Sequence, residues 1–209
     1  MSREDSNRSD EAVTAIVLAA GAGSRFRDVG HKLTAVLPAT AARPAEPVAH
    51  RSIAAAVAAA IGPVVVVTGR LARADLGFDL GAVETAHNAD WASGQMTSVR
   101  TGLDLAERNG SVVAVIGLAD QPGIDPSAWR AVADAAAAGP APIAVATYDG
   151  RRGNPVALHR SVWNRLPTGG DEGARSLMQL HPELVREVPC TGSPTDIDTA
   201  EDLRRWQNS

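Results

Sequence analysis

Ala12-Val13-Thr14-Ala15-Ile16-Val17-Leu18-Ala19-Ala20-Gly21-Ala22-Gly23 is an uncharged, mostly apolar run that ends in small residues. A run this apolar, without polar alternation, reads as a strand over residues 12–20 buried on both faces. The glycines mark its exit. The pattern recurs along the chain. Residues 64–67 are four consecutive valines, residues 82–86 a weaker strand, and residues 112–118 another continuous apolar run. Further strands are expected at 143–147, 155–158 and 184–188. Helices are expected at 53–61 (stopped by Gly62-Pro63), 95–108, 126–138, 172–180 and 200–207. In the second of these Met96, Val99, Leu103 and Ala106 share one face. Apolar strands alternating with helices predict an α/β fold: three layers, α/β/α, around a mainly parallel, mixed sheet.

The 209 residues suit one domain. Residues 1–11 are polar and read as a flexible tail, leaving 12–209 as the domain. The proline-punctuated stretch 38–47 reads as a spacer. One cysteine, Cys190, excludes a disulfide framework and Cys-rich zinc sites. Net charge −4 with no basic block argues against nucleic acid as a partner. No apolar run reaches the length of a membrane span, and the N-terminus carries no secretory pattern, so a cytoplasmic location is expected. Of 20 basic residues only Lys32 is lysine, the rest being arginine.

In parallel α/β sheets ligands bind beyond the C-terminal ends of the strands. The first strand runs into Ala19, Ala20, Gly21, Ala22, Gly23, Ser24 and Arg25. Small residues bring backbone N–H groups close enough to cradle phosphate oxygens, and Arg25 and Lys32 add positive charge. The spacing fits neither the Walker loop nor G-x-G-x-x-G, because Phe26 stands at the last position. A tight turn with a surface arginine remains the alternative. Asp120 follows the strand at 112–118, placed either to hold Mg²⁺ or to start a turn before Pro122. Asp198 is a second metal ligand, the N-cap of the last helix, or both. Gly94 and Ser98 flank a helix start that faces the nucleotide or simply packs. Asp171 reads as an N-cap one turn before Arg175. His159 and His181 read as structural ahead of acid/base groups, Trp91 and Trp163 as ordinary partly buried aromatics ahead of pocket walls, and Cys190 has no assigned role.

Together these residues resemble the MobA-like nucleotidyltransferases. Leu18 to Arg25 with Lys32 is similar to that family's signature loop. Asn88 to Gly94, followed by Ser98, resembles the segment before its third helix, and Leu118 to Pro122 its metal-binding segment. Gly153-Asn154-Pro155-Val156 and Gly170 to Arg175 look like acceptor-side elements, and Asp196 to Asp202 like the closing motif. The likeness spans about residues 13–205. It implies a Rossmann-like, GT-A-type nucleotidyltransferase fold with Arg25, Lys32 and Asp120 in catalysis. It also implies nucleotide contacts from the loop, Thr68, Asn88, Gly94 and Ser98, with Mg²⁺ on Asp120 and Asp198. Within the family the molybdenum cofactor cytidylyltransferases look nearest. Ala20-Gly21 stands where the guanylyl-transferring branch carries Gly-Gly, which favours CTP over GTP as co-substrate. The implied acceptor is a molybdopterin-type cofactor, with Gly153, Asn154, Asp171 and Arg175 on its side and a molybdoenzyme as recipient. Phe26-Arg27 replaces the family's usual Met-Gly, and Ala45-Glu46-Pro47 its Gly-Lys-Pro. Two alternatives stand beside this reading: transfer to another small phosphorylated acceptor, and an NAD(P)H-dependent oxidoreductase using the same cleft.

Overall fold

A computed structural model describes residues 12–23, 26, 30–40, 43–76, 79, 81, 83–171 and 173–207. Strand β1 (Val13–Ala19) is central to a seven-stranded sheet. It pairs in parallel with β4 (Val64–Thr68) on one side and β6 (Val113–Leu118) on the other. The short pair β2 (Val36–Leu37) and β3 (Glu46–Pro47) stands apart. Strand β5 (Glu84–His87) extends the sheet beyond β4. Beyond β6 come β8 (Arg151–His159), antiparallel to both neighbours, then β7 (Ile143–Tyr148) and β9 (Val185–Pro189). The sheet is mixed and mostly parallel, with helices on both faces.

Side-chain alternation divides the core in two. Ala15, Val17 and Ala19 of β1 pack with α1 (Val48–Ala59) and α3 (Pro126–Ala138) through Ile53, Ala56, Trp129 and Val132. Ile16 and Leu18 face the opposite way, onto Met96, Val99 and Leu103 of α2 (Gln95–Arg108) and Leu177 and Met178 of α4 (Arg175–Leu180). Alanine lets α1 and α3 lie close to the sheet, which is why the chain packs so well with few aromatics. A third, smaller cluster joins Phe26, Leu37, Val48 and Ile197, with Trp206 of α5 (Ala200–Gln207) against it. Phe26, which departs from the family pattern, thus fastens the end of the β1 loop to the segment carrying Asp198.

Helices α2, α3 and α5 occupy the expected residues; other elements shift for local reasons. Helix α1 begins at Val48, earlier than residue 53. Its first turn carries His50 and Arg51, which bond Glu46 at 2.6 and 2.8 Å instead of breaking the helix. Glu46 is itself buried. It has taken partners within its own element pair, so Ala45-Glu46-Pro47 serves packing at this position. Helix α4 starts at Arg175 and not at 172, because Gly173 has φ +57° and cannot continue a right-handed helix backwards. Glu172 lies outside the described residues, as does Ala82 at the expected start of β5. Strand β8 is longer than 155–158: its register jumps from Val145↔Val156 to Ala146↔Gly153, which loops Asn154 and Pro155 out of the ladder. Proline has no N–H to offer there. The stretch 38–47 ends as β3 rather than as loop alone.

Gly117 in β6 lies under the ring of Trp129, where a Cβ would come within 2.5 Å of two ring carbons. A rigid indole that is 2% exposed cannot move aside. Gly117→Val should therefore lower stability by about 1–3 kcal/mol through overpacking. Urea unfolding would register this as a lower midpoint at unchanged slope.

Candidate functional site

The chain leaves β1 toward β4 and β5, then crosses to β6 on the other side. Parallel neighbours whose connections run in opposite directions leave a crevice at their C-terminal ends. A cavity of about 340 Å³ lies there, a volume suited to a small-molecule ligand. Its floor is Leu18, Ala19 and Leu118; its near wall is Ala20, Gly21, Ala22 and Lys32; Asp120 stands at one end. Trp91, Gln95, Ser98 and Asp171 form the far wall.

The near wall has a fixed backbone. Gly23 has φ +59°, and a Cβ on it would strike the His31 ring at 2.6 Å. His31 Nδ1 accepts from the N–H of Leu33 at 3.2 Å, so its proton sits on Nε2, which donates to Gly21 O at 3.1 Å. One imidazole thus ties the glycine loop to the short 3-10 turn that carries Lys32. Burial, with the charges of Lys32 and Arg70, lowers the His31 pKa below its ordinary 6.5, against the hydrogen bond it donates to Gly21 O. Behind the loop, Gly69 follows β4 where any Cβ would collide with Ala20 and Trp91 at 2.7 Å. No motif marks His31; only the fold brings it onto Gly21.

Lys32 Nζ donates to Asp120 Oδ2 and to Asp198 Oδ1, each at 2.5 Å. Burial pulls the ammonium's pKa down, but the charge of Asp120 and the hydrogen bonds to both carboxylates outweigh it and hold the pKa above its ordinary value. Asp120 Oδ1 is buried and has no hydrogen-bond partner. A buried carboxylate oxygen left without a donor is a place for a cation. Hard carboxylate donors at a strand end, with room for phosphate beside them, fit a divalent cation of the Mg²⁺ or Mn²⁺ kind. Among the described residues no cluster of three or more acidic, His or Cys side chains is arranged as a complete metal cage.

A polar brace sets this pair of carboxylates. Ile197 N–H donates to Asp120 O at 2.9 Å. Gln121, buried beside Asp120, donates through Nε2 to Asp196 Oδ1 at 2.7 Å and to Pro194 O, and accepts at Oε1 from Asn154 Nδ2 at 3.1 Å. Burial, then the nearby Asp120 charge, raises the Asp196 pKa. The last helix is capped by Thr199, not Asp198: Thr199 Oγ1 accepts from Asp202 N–H, while Asp202 Oδ2 accepts from Thr199 N–H and Oγ1–H. The Asp198 carboxylate, not used as a cap, accepts from Lys32.

The far wall is organised by Asn88. Its Nδ2 donates to Thr97 Oγ1 and Ser98 Oγ at 2.8 and 2.9 Å, and its Oδ1 accepts from Asp90 N–H. The side chain is buried and does not line the cavity; it holds the loop that presents Trp91, Gly94 and Gln95. Asp171 heads no helix of its own. Its carboxylate accepts from Gln95 N–H at 3.1 Å, capping α2 across 76 positions of sequence, and Gly170 O accepts from Met96 N–H at 2.9 Å. Arg100 donates to the carbonyls of Leu166 and Pro167.

Of the expected site residues, Ala19 to Ala22, Lys32, Gly94, Ser98 and Asp120 line the cavity, joined by Asp171; Asp198 reaches it through Lys32. Ser24 and Arg25 lie outside the described residues. Thr68 is buried within the sheet, its hydroxyl on Ala86 O and His87. Arg175 is exposed at the start of α4, and Gly153 and Asn154 sit behind Gln121 rather than in the cavity. Of the two readings for Trp91 the pocket wall is the one met: it lines the cavity. His159 caps the turn at Ser161 and His181 faces Glu183, both away from the cleft.

The family model for the MobA-like NTP transferase domain matches residues 15–187. Rv0371c from Mycobacterium tuberculosis H37Rv is 27% identical, with TM-score 0.75, over 95% of this chain and 98% of that one. A second structure, Rv0371C in complex with manganese, is 26% identical with TM-score 0.73 over 95% and 99%. A nucleotidyl transferase from Methanothermobacter thermautotroptrophicus shares the fold at 21% identity and TM-score 0.76, over 94% and 96%. No curated protein matches the chain in sequence. Among the described residues no helix is long and apolar enough to cross a membrane.

The lowered pKa of His31 carries a sign. Between its folded value and 6.5 the unfolded chain takes up a proton that the folded one refuses, so stability falls as pH drops below 6.5. NMR titration should place His31 below 6.5, and His31→Gln should flatten the acid side of the stability profile.

Proposed function

The chain belongs to the MobA-like NTP transferase domain family, and from that premise we propose that it moves CMP from CTP onto the phosphate of a molybdopterin-type cofactor. Nucleotidyl transfer is the chemistry of the family; base, acceptor and metal are the finer reading. One observation supports its phosphate and metal chemistry: a lysine and two carboxylates, one with an unpartnered buried oxygen, converge at the crevice beside the glycine loop.

In this reaction an oxygen of the acceptor phosphate forms a bond to the α-phosphorus of the triphosphate. The bond from that phosphorus to the oxygen bridging it to the β-phosphate breaks, and pyrophosphate leaves with the electron pair. The protein's work is to hold two mutually repelling anions in line and to meet the developing charge. Backbone N–H groups of the loop from Ala20 to Ser24 receive the triphosphate, with Lys32 and Arg25 stabilising the leaving pyrophosphate. Asp120 and Asp198 would hold Mg²⁺, and the ion would supply Lewis-acid neutralisation of the phosphate oxygens. Trp91 and Gln95 give the far wall an aromatic face and an amide for the nucleotide or the pterin. Asp171 bounds the acceptor end, while Gln121 and Asn154 keep the carboxylates in place behind it. Ala20 in the loop supports CTP over GTP by resemblance. A cytoplasmic setting and delivery to a molybdoenzyme complete the proposal.

The test is incubation of labelled CTP, GTP and ATP with protein, Mg²⁺ and molybdopterin-type cofactor, following pyrophosphate. Release from CTP only when the cofactor is present supports the full reading. Release with another small phosphorylated acceptor keeps the chemistry and replaces the acceptor. Binding of no nucleotide overturns it. Asp120→Asn should reduce kcat by about a hundredfold or more while leaving the circular dichroism spectrum and urea midpoint close to wild type.

A further inference from the structure

Lys32 stands where a divalent cation would need to be. Its Nζ lies 2.5 Å from Asp120 Oδ2 and 2.5 Å from Asp198 Oδ1, so one ammonium engages both carboxylates at once. The pair is mostly shielded from water: Lys32 and Asp120 side chains are each 15% exposed. A metal seated between the two carboxylates would compete with the ammonium already on Asp120 Oδ2 and Asp198 Oδ1, at the shorter distances of about 2.0–2.1 Å that Mg²⁺ demands. Asp120 Oδ1, buried and without a hydrogen-bond partner, is open to it without exchange.

We infer that Lys32 is a resident counter-cation whose release couples metal binding to nucleotide binding. The inference rests on the proposed reading of Asp120 and Asp198 as metal ligands and adds the order of events. Moving the ammonium off the carboxylates strands a positive charge in a partly buried place unless another anion accepts it. The cavity supplies one place for that anion, since Lys32 lines it beside Ala20, Gly21 and Ala22, where the triphosphate is received. Nucleotide then draws the ammonium away from Asp120 Oδ2 and Asp198 Oδ1 and opens those oxygens to the metal. Metal bound there draws on the same phosphates. Each ligand strengthens the other by an equal factor.

The residue type fits this exchange. Arginine would meet a carboxylate with a rigid two-pronged fork, whereas lysine is a point charge on a flexible stem that can turn between two anions. In a chain that otherwise uses arginine for every basic position, lysine stands at the one place where the cation has to change partners. The 3-10 turn that carries it, fixed by His31, gives the stem a constant origin on the loop side.

The experiment is Mn²⁺ titration of the full chain by electron paramagnetic resonance, with and without CTP and with no acceptor present. Free Mn²⁺ is corrected for the CTP complex, and CTP binding is measured separately. Wild type should bind Mn²⁺ at least about tenfold more tightly with CTP than without. Lys32→Met should bind Mn²⁺ alone about tenfold more tightly than wild type and lose most of the enhancement by CTP. Lys32→Arg, which keeps the charge, should bind Mn²⁺ alone no better than wild type, and it serves as the folded control. Equal Mn²⁺ affinity of wild type and Lys32→Met without nucleotide, with CTP still enhancing both, overturns the inference and leaves the metal reading standing. Absence of Mn²⁺ binding to all three proteins while CTP still binds overturns the metal reading itself.

Discussion

Strand β1 has no free face. Ala15, Val17 and Ala19 are sealed under α1 and α3, and Ile16 and Leu18 under α2, while β4 and β6 take both of its hydrogen-bonding edges. A strand covered on all sides can meet a ligand only where it ends. The same burial holds for β6, whose last residues bring Asp120 level with the exit of β1. Everything polar in the site is therefore gathered at one rim of the sheet, and the apolar interior beneath gives that rim a rigid base.

Charge is the second constraint on this rim. Two carboxylates close together repel, and Asp196 adds a third carboxyl behind them. Lys32 balances the first two, and Gln121 engages the third by hydrogen bond without adding charge. Gln121 also reaches Asn154, so three chain segments that are far apart in sequence share one amide. Such a brace is costly to break at Gln121, which is buried and has few alternative partners.

The fold was legible in sequence because its signals are local: valine runs, alanine-rich helices, and glycine or proline stops. Helix α2 could be read to its ends from Met96, Val99, Leu103 and Ala106. Boundaries failed where a distant contact intervened, as at α1, where Glu46 stabilises His50 and Arg51, and at β8, where a proline is looped out of register. In the candidate site Lys32, Asp120 and Asp198 stood out because strand-end logic and motif spacing both pointed to them. His31 and the bracing role of Gln121 did not, since their roles depend on partners brought near only by folding. Asp171 illustrates the limit: its neighbours in sequence suggested a cap for its own helix, yet its carboxylate serves the start of α2.

That cross-cap has a consequence for how such sites diversify. Gly94 lies so near Gly170 that a Cβ would approach its carbonyl carbon to 2.6 Å. Gln95, Met96 and Arg100 each hold a group from residues 166–171. The acceptor-side loop and the first two turns of α2 are consequently one unit of exchange. A segment transplanted from a relative to change acceptor would have to bring its α2 partner with it, or arrive with no seat. Recombination across residues 109–165 would separate the two halves, whereas variation in the floor of the cleft would leave them undisturbed.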